Sequence, residues 1–153
     1  MSGEQGKLYC GIDPGRDKFG LALAAGETLY LSAILATDEA DFALGCIEQA
    51  DWGAFASCAR EGVGPPREAL RARICLGNGT YHDLFAKKLQ ARAVSFETVD
   101  ERMTTLQART LYWRLHPPRG LWRLVPLSLR TPPRPVDDLA AWAIARRAQG
   151  IKS

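Results

Sequence analysis

A chain of 153 residues, 46% hydrophobic and 24% charged, has the length of a single domain and enough apolar material for a sizeable core. No apolar run nears the roughly 20 residues a membrane-spanning helix needs, and Met1 to Lys7 is polar with no signal-peptide core. The expectation is therefore a cytoplasmic protein without a membrane partner. The net charge of +3 conceals a segregation: residues 1–101 carry 15 acids against 10 bases, whereas residues 102–136 carry seven arginines and no acid. Four cysteines, Cys10, Cys46, Cys58 and Cys75, are widely spaced and form no CxxC pair, which argues against a zinc site and a disulfide framework.

Leu8 to Asp13 reads as a strand, Phe19 to Ala25 as a second and Thr28 to Leu35 as a third, with a hairpin at Gly26-Glu27. Thr37 to about Arg60 predicts one helix, with acids in its first turn and an apolar stripe through Ala43, Cys46, Ile47, Ala50, Ala54 and Cys58. Gly62 to Pro66 breaks the chain. Arg73 to Leu76 predicts a fourth strand ending at Gly77-Asn78-Gly79-Thr80, where Thr80 is a candidate N-cap for a helix marked by Tyr81, Leu84, Phe85 and Leu89. Val94 to Val99 predicts a fifth strand. Thr104 and Gln107 have capping-box spacing for a helix to about Leu115. Residues 117–135 hold six of the nine prolines, so no regular helix fits there. A last helix is expected from about Val136 to Ala148. The order implies an α/β fold: one domain over residues 1–153, a mixed five-stranded sheet with its first three strands antiparallel, and helices on both faces.

Acids fall at corresponding ends of these elements. Asp13 ends the first strand, Asp100-Glu101 follow the fifth, and Asp137-Asp138 open the last helix. Carboxylates that converge repel one another unless a hard cation sits between them, and Mg²⁺ or Mn²⁺ takes such oxygen ligands. Two such ions about 4 Å apart can activate water and stabilise the leaving oxygen in phosphodiester cleavage. Taking about 100° per residue, the apolar face of the last helix centres near Val136 and Ala140, with Asp137 about 90° away and Asp138 nearly opposite. Asp137 is the better ligand on that argument, and Asp138 reads as a cap or an outer-shell acid and stays a further candidate metal ligand. Asp100 reads as a solvated turn residue.

Three segments carry a resemblance: Gly11-Ile12-Asp13-Pro14-Gly15 with Gly20-Leu21-Ala22, Val99-Asp100-Glu101-Arg102-Met103-Thr104-Thr105, and Val136-Asp137-Asp138-Leu139-Ala140-Ala141. Together they resemble the three signatures of the YqgF/RuvX family, from the RuvC-like branch of the RNase H fold, over residues 8 to 148. The Asp-Glu-Arg-x-Thr-Thr motif is the distinctive one. The resemblance implies an RNase H-like fold and a metal-dependent nuclease in which Asp13, Glu101 and Asp137 are the metal-binding, catalytic carboxylates. It also implies that Gly77-Asn78-Gly79 borders the active site, which makes Asn78 a candidate substrate contact. Its two substrate classes are four-way DNA junctions and precursor ribosomal RNA, and junction cleavage would require a homodimer. Asp13-Pro14-Gly15 also fits an actin-like ATPase, but 153 residues leave no room for its second lobe. A nucleic-acid-binding module without catalysis is the other alternative.

Arg102, Arg109, Arg114, Arg119, Arg123, Arg130 and Arg134 form the acid-free stretch, interleaved with Tyr112, Trp113 and Trp122. Arginines neutralise backbone phosphates, and the expected partner is branched DNA or structured RNA. Packing on the core is expected of the aromatics Tyr112, Trp113 and Trp122; the alternative to nucleic-acid binding is a solvated helix face and a loop that packs Trp122, Leu124, Val125 and Leu127 on the core. His82 and His116 read as surface polar residues.

Overall fold

The computed structural model describes residues 7–68, 70–126 and 129–151. Leu127, placed on the core in the alternative to nucleic-acid binding, lies outside them. Six strands, β1 (Leu8–Asp13), β2 (Lys18–Ala25), β3 (Thr28–Ala36), β4 (Ala59–Glu61), β5 (Ala72–Gly77) and β6 (Phe96–Val99), form one open sheet in the order β4-β3-β2-β1-β5-β6. β1, β2 and β3 pair antiparallel, as do β3 and β4, whereas β1, β5 and β6 run parallel. Four helices, α1 (Ala40–Glu48), α2 (His82–Ala91), α3 (Thr104–Leu115) and α4 (Asp137–Ala148), cover both faces.

The alternation in β1 and β2 explains how the two faces differ. Cys10, Ile12, Leu21 and Leu23 point into a core shared with α1 and α2. Ala22 and Ala24 point the other way, toward α3 and α4. Gly11 and Gly20 lie on that second face, where a Cβ would overlap the Ala141 and Asp137 backbone carbonyls respectively. Small residues thus let the α4 backbone rest directly on the strands, with Asp137 above the Asp13–Gly20 pair of the β1–β2 ladder. Gly20→Ala is expected to cost about 3 kcal/mol in urea unfolding, because neither backbone can yield cheaply. Gly53→Ala, with nothing within 4 Å of the new methyl group, is expected to be near neutral.

Three expectations change. The helix proposed for residues 37–60 is broken into a 3-10 turn (Thr37–Glu39), α1, a 3-10 segment (Trp52–Cys58) and β4, which makes six strands rather than five. Ala50 takes a left-handed φ of 55°, and the Asp51 amide turns back to the Cys46 carbonyl at 2.8 Å, which ends α1. Trp52 and Phe55 are then buried, and the Trp52 indole donates to the Leu70 carbonyl at 2.8 Å. Thr80 does not cap α2, which starts after Tyr81 without a side-chain cap. The Thr104–Gln107 capping box does not form either, since Met103 occupies the N-cap position at a left-handed φ of 70°.

The last helix departs furthest from a one-faced pattern. Asp138 through Arg146 are all buried, because the sheet, α3 and the segment before α4 enclose it. An argument from a single apolar face fails for such a helix. Cys10 and Cys75 are buried in β1 and β5, where burial pushes both thiols far above their ordinary range.

Candidate functional site

Asp13 ends β1, at the edge where β5 and β6 also end. Its carboxyl is pushed up to about 8, chiefly by burial, then by the charges of Glu101 and Asp137 and by a hydrogen bond with Glu101. Three acids separated by up to 124 positions in the chain are therefore electrostatic neighbours. Burial also raises the Glu101 carboxyl, opposed by the hydrogen bond from Asp13. Both carboxyls are thus held above their ordinary range, burial being the first cause of each. Glu101 Oε2 is buried and makes no hydrogen bond.

The surroundings of Glu101 account for the motif it belongs to. The buried Thr104 hydroxyl donates to the Glu101 carbonyl at 2.7 Å, and the Thr104 amide reaches the same oxygen at 3.0 Å. Asn78 Oδ1 accepts the Glu101 amide at 3.0 Å, while the Asn78 amide donates to Val99. Asn78 therefore ties the end of β5 to the end of β6 and sets the Glu101 backbone. A Cβ on Gly77 or Gly79 would overlap the Glu101 carboxylate, so both positions are glycine because the carboxylate fills the space a side chain would take. Asp100 is exposed, its Oδ1 accepting the Arg102 amide at 2.9 Å.

The two acids of α4 are the reverse of the sequence-based assignment in burial. Asp137 is partly exposed and pairs with Lys18 Nζ at 3.3 Å. Asp138, expected to face away from the core, is wholly buried: Ser32 donates to its Oδ2 at 2.5 Å and Arg134 to its Oδ1 at 2.9 Å. A buried carboxylate needs such partners, and Arg134 and Ser32 supply them. Asp138 is thus an internal ion-pair acid rather than a cap.

The arginines divide by environment. Arg102, Arg114, Arg119 and Arg123 are exposed, and Arg109 is half-buried. Arg134 is committed to Asp138 and Glu61, which corrects its reading as a phosphate contact. Arg130 braces the chain between α3 and α4, donating to the Trp122 carbonyl at 2.9 Å and the Arg123 carbonyl at 3.0 Å. Its own carbonyl accepts from the Trp113 indole at 3.2 Å. Trp122 stacks on Trp113 with ring centroids 6.4 Å apart and stays half-exposed, while Leu121 and Leu124 are about four-fifths exposed. The core packing expected of Trp122 does not occur, and neither does that of Leu124.

Two neighbours of the site were not visible in the sequence. Lys18 reaches Asp137 from the start of β2, and His82, bonded to Thr98 Oγ1 at 2.9 Å, is close enough to oppose the rise of the Glu101 carboxyl. Neither sits in a recognisable motif; both meet the acids only through the sheet.

As donors, Asp13 and Glu101 suit a hard divalent cation, and the unbonded Glu101 Oε2 is an oxygen such an ion would satisfy. Among the described residues, no three acidic, histidine or cysteine side chains are gathered closely enough to hold an ion as they stand, and Asp137 is on Lys18. No helix among the described residues is long and apolar enough to cross a membrane. No protein-family model, no curated protein and no solved structure matches this chain.

Proposed function

We propose that this chain is a cytoplasmic, metal-dependent nuclease with an RNase H-like fold, hydrolysing phosphodiester bonds in structured nucleic acid. The observation that carries the reading is the meeting of Asp13, Glu101 and Asp137 at one edge of the sheet, where burial first and the neighbouring acids second push the Asp13 carboxyl up to about 8. Such crowding costs stability and is the pattern expected where function needs it. Asp13 and Glu101 would hold Mg²⁺ or Mn²⁺, with Asp137 joining them on release from Lys18. When bound, such ions activate water and stabilise the leaving oxygen of a phosphodiester. Thr104 and Asn78 orient the Glu101 backbone, and the Asp13 proton must leave before a cation is held there.

The partner follows from charge. Arg114, Arg119 and Arg123 are exposed and make no ion pair among the described residues. Branched DNA and structured RNA both offer the phosphates they would bind. Neutralising Arg119 and Arg123 together is expected to lower the magnitude of the log affinity–log salt slope by roughly 1.5 to 2, measured on a short duplex in EDTA. Arg130→Gln is expected to act through the shape of the loop instead, since its guanidinium holds two carbonyls.

The deciding experiment offers the protein a four-way DNA junction, a flayed duplex and a precursor rRNA fragment with Mg²⁺, Mn²⁺ or EDTA. Metal-dependent cleavage of at least one substrate is expected. A preference for the junction would also predict a homodimer, because two symmetric strands must be cut. Tight binding with no cleavage under any metal would contradict the proposal and favour a binding module.

A further inference from the structure

The segment between α3 and α4 leaves the fold at His116 and returns at Arg134, and a single carboxylate holds both ends. Glu61, the last residue of β4, meets His116 Nε2 at 2.7 Å and accepts from Arg134 Nη2 at 2.8 Å. Burial alone would raise the Glu61 carboxyl, but the hydrogen bonds from Arg134 and His116 outweigh it and keep it below its ordinary range. Glu61 and Arg134 side chains are only 13% and 20% exposed, so this is a shielded pair rather than a surface one. The link continues inward. Arg134 bonds both oxygens of Asp138, which Ser32 of β3 anchors from the other side. Asp138 is the neighbour of Asp137 on the first turn of α4.

We infer that Glu61 and Arg134 are positioning residues: they form a clasp that holds together the two ends, His116 and Arg134, of the arm between α3 and α4 and transmits their position to Asp137. The arm carries Arg119 and Arg123, the cations proposed to meet phosphate. A polyanion that pulls on the arm therefore pulls on Arg134, and through Asp138 on the acid beside it. Thermodynamic reciprocity then links occupancy of the arm to the cation affinity of the acids. The clasp itself stands on geometry alone; its transmission to Asp137 rests on the nuclease reading.

Two substitutions in the full chain test it, Glu61→Gln and His116→Ala, the second freeing only the departing end of the arm. Limited trypsin digestion reads the clasp directly, because cutting after Arg119, Arg123 or Arg130 requires the arm to open. Glu61→Gln is expected to speed cutting in the arm roughly tenfold and His116→Ala roughly threefold, with only the small fall in melting that loss of the same contact implies and cutting outside the arm much less affected. Arm cutting at the wild-type rate in both variants overturns the clasp. The transmission is read by Mn²⁺ titration with and without a short single-stranded oligonucleotide. The oligonucleotide is expected to change Mn²⁺ affinity severalfold in wild type and to lose that effect in Glu61→Gln. An equal effect in both proteins overturns the transmission. A wild type that binds no Mn²⁺ overturns the nuclease reading and the transmission together, while the trypsin result still decides the clasp.

Discussion

Asp13→Asn is expected to lower metal-dependent cleavage by at least about 10³-fold while making the metal-free protein more stable. The first effect follows from loss of the central carboxylate; about 4 kcal/mol of barrier corresponds to that factor. The second follows from the pH linkage of a raised acid. The Asp13 carboxyl titrates near 8 in the folded chain and near its ordinary value of 3.8 when unfolded. Its ionisation therefore does not oppose folding below about pH 3.8, opposes it progressively as pH rises, and does so fully above about 8. An asparagine escapes that penalty. The stability gained by Asp13→Asn in EDTA should be near zero at pH 4 and grow toward pH 8, reaching on the order of 1–3 kcal/mol, since the site is open to solvent at one edge. Urea unfolding at several pH values measures it. A structural carboxylate would behave in the opposite way, losing stability on substitution at neutral pH.

The second large effect separates the two adjacent acids of α4. Asp138→Ala leaves the buried Ser32 hydroxyl without its acceptor and removes one of the two carboxylates that hold Arg134, and is expected to cost about 3 kcal/mol, a large part of the stability of a domain this size. Asp137→Asn removes only a half-exposed pair with Lys18 and should change stability by less than about 1 kcal/mol. Cleavage should respond in the other order, with Asp137→Asn inactive though fully folded. Thermal melting together with a cleavage assay at a temperature where both variants are folded distinguishes them. If Asp137→Asn cuts as well as wild type, the carboxylate set is wrongly assigned.

The site was legible in the sequence where chemistry and periodicity coincide in a short segment. Asp13 stood out as a charge closing an apolar strand, and the alternation of Gly20-Leu21-Ala22-Leu23 marked β2, though not that its small residues seat a helix backbone. Asp100, Glu101 and Thr104 were visible as a cluster, but the hydrogen bond from Thr104 to the Glu101 carbonyl depends on the Met103 backbone turning left-handed, which no residue type there announces. Asp138 was misread because helical phase assumes one dry face, and α4 is dry on every side along its middle. Its partner Ser32 lies 106 positions away in β3, so only the assembled sheet reveals the pair. The break in the first predicted helix was hidden for a similar reason: Ala50 adopts a conformation usually reserved for glycine, and β4 is three residues long. The arginine count pointed to a basic arm, yet counting cannot distinguish Arg119 and Arg123, which face solvent, from Arg130 and Arg134, which hold the arm together.

The most direct test of the metal-dependent site is a calorimetric Mn²⁺ titration of the wild-type chain at pH 6, 7 and 8, repeated in buffers of different ionisation enthalpy so that released protons are counted. The account predicts binding that strengthens from pH 6 to pH 8 with up to one proton released per ion, and that is lost in Asp13→Asn. Binding that is independent of pH and equally strong in Asp13→Asn, or no binding at all, would contradict it.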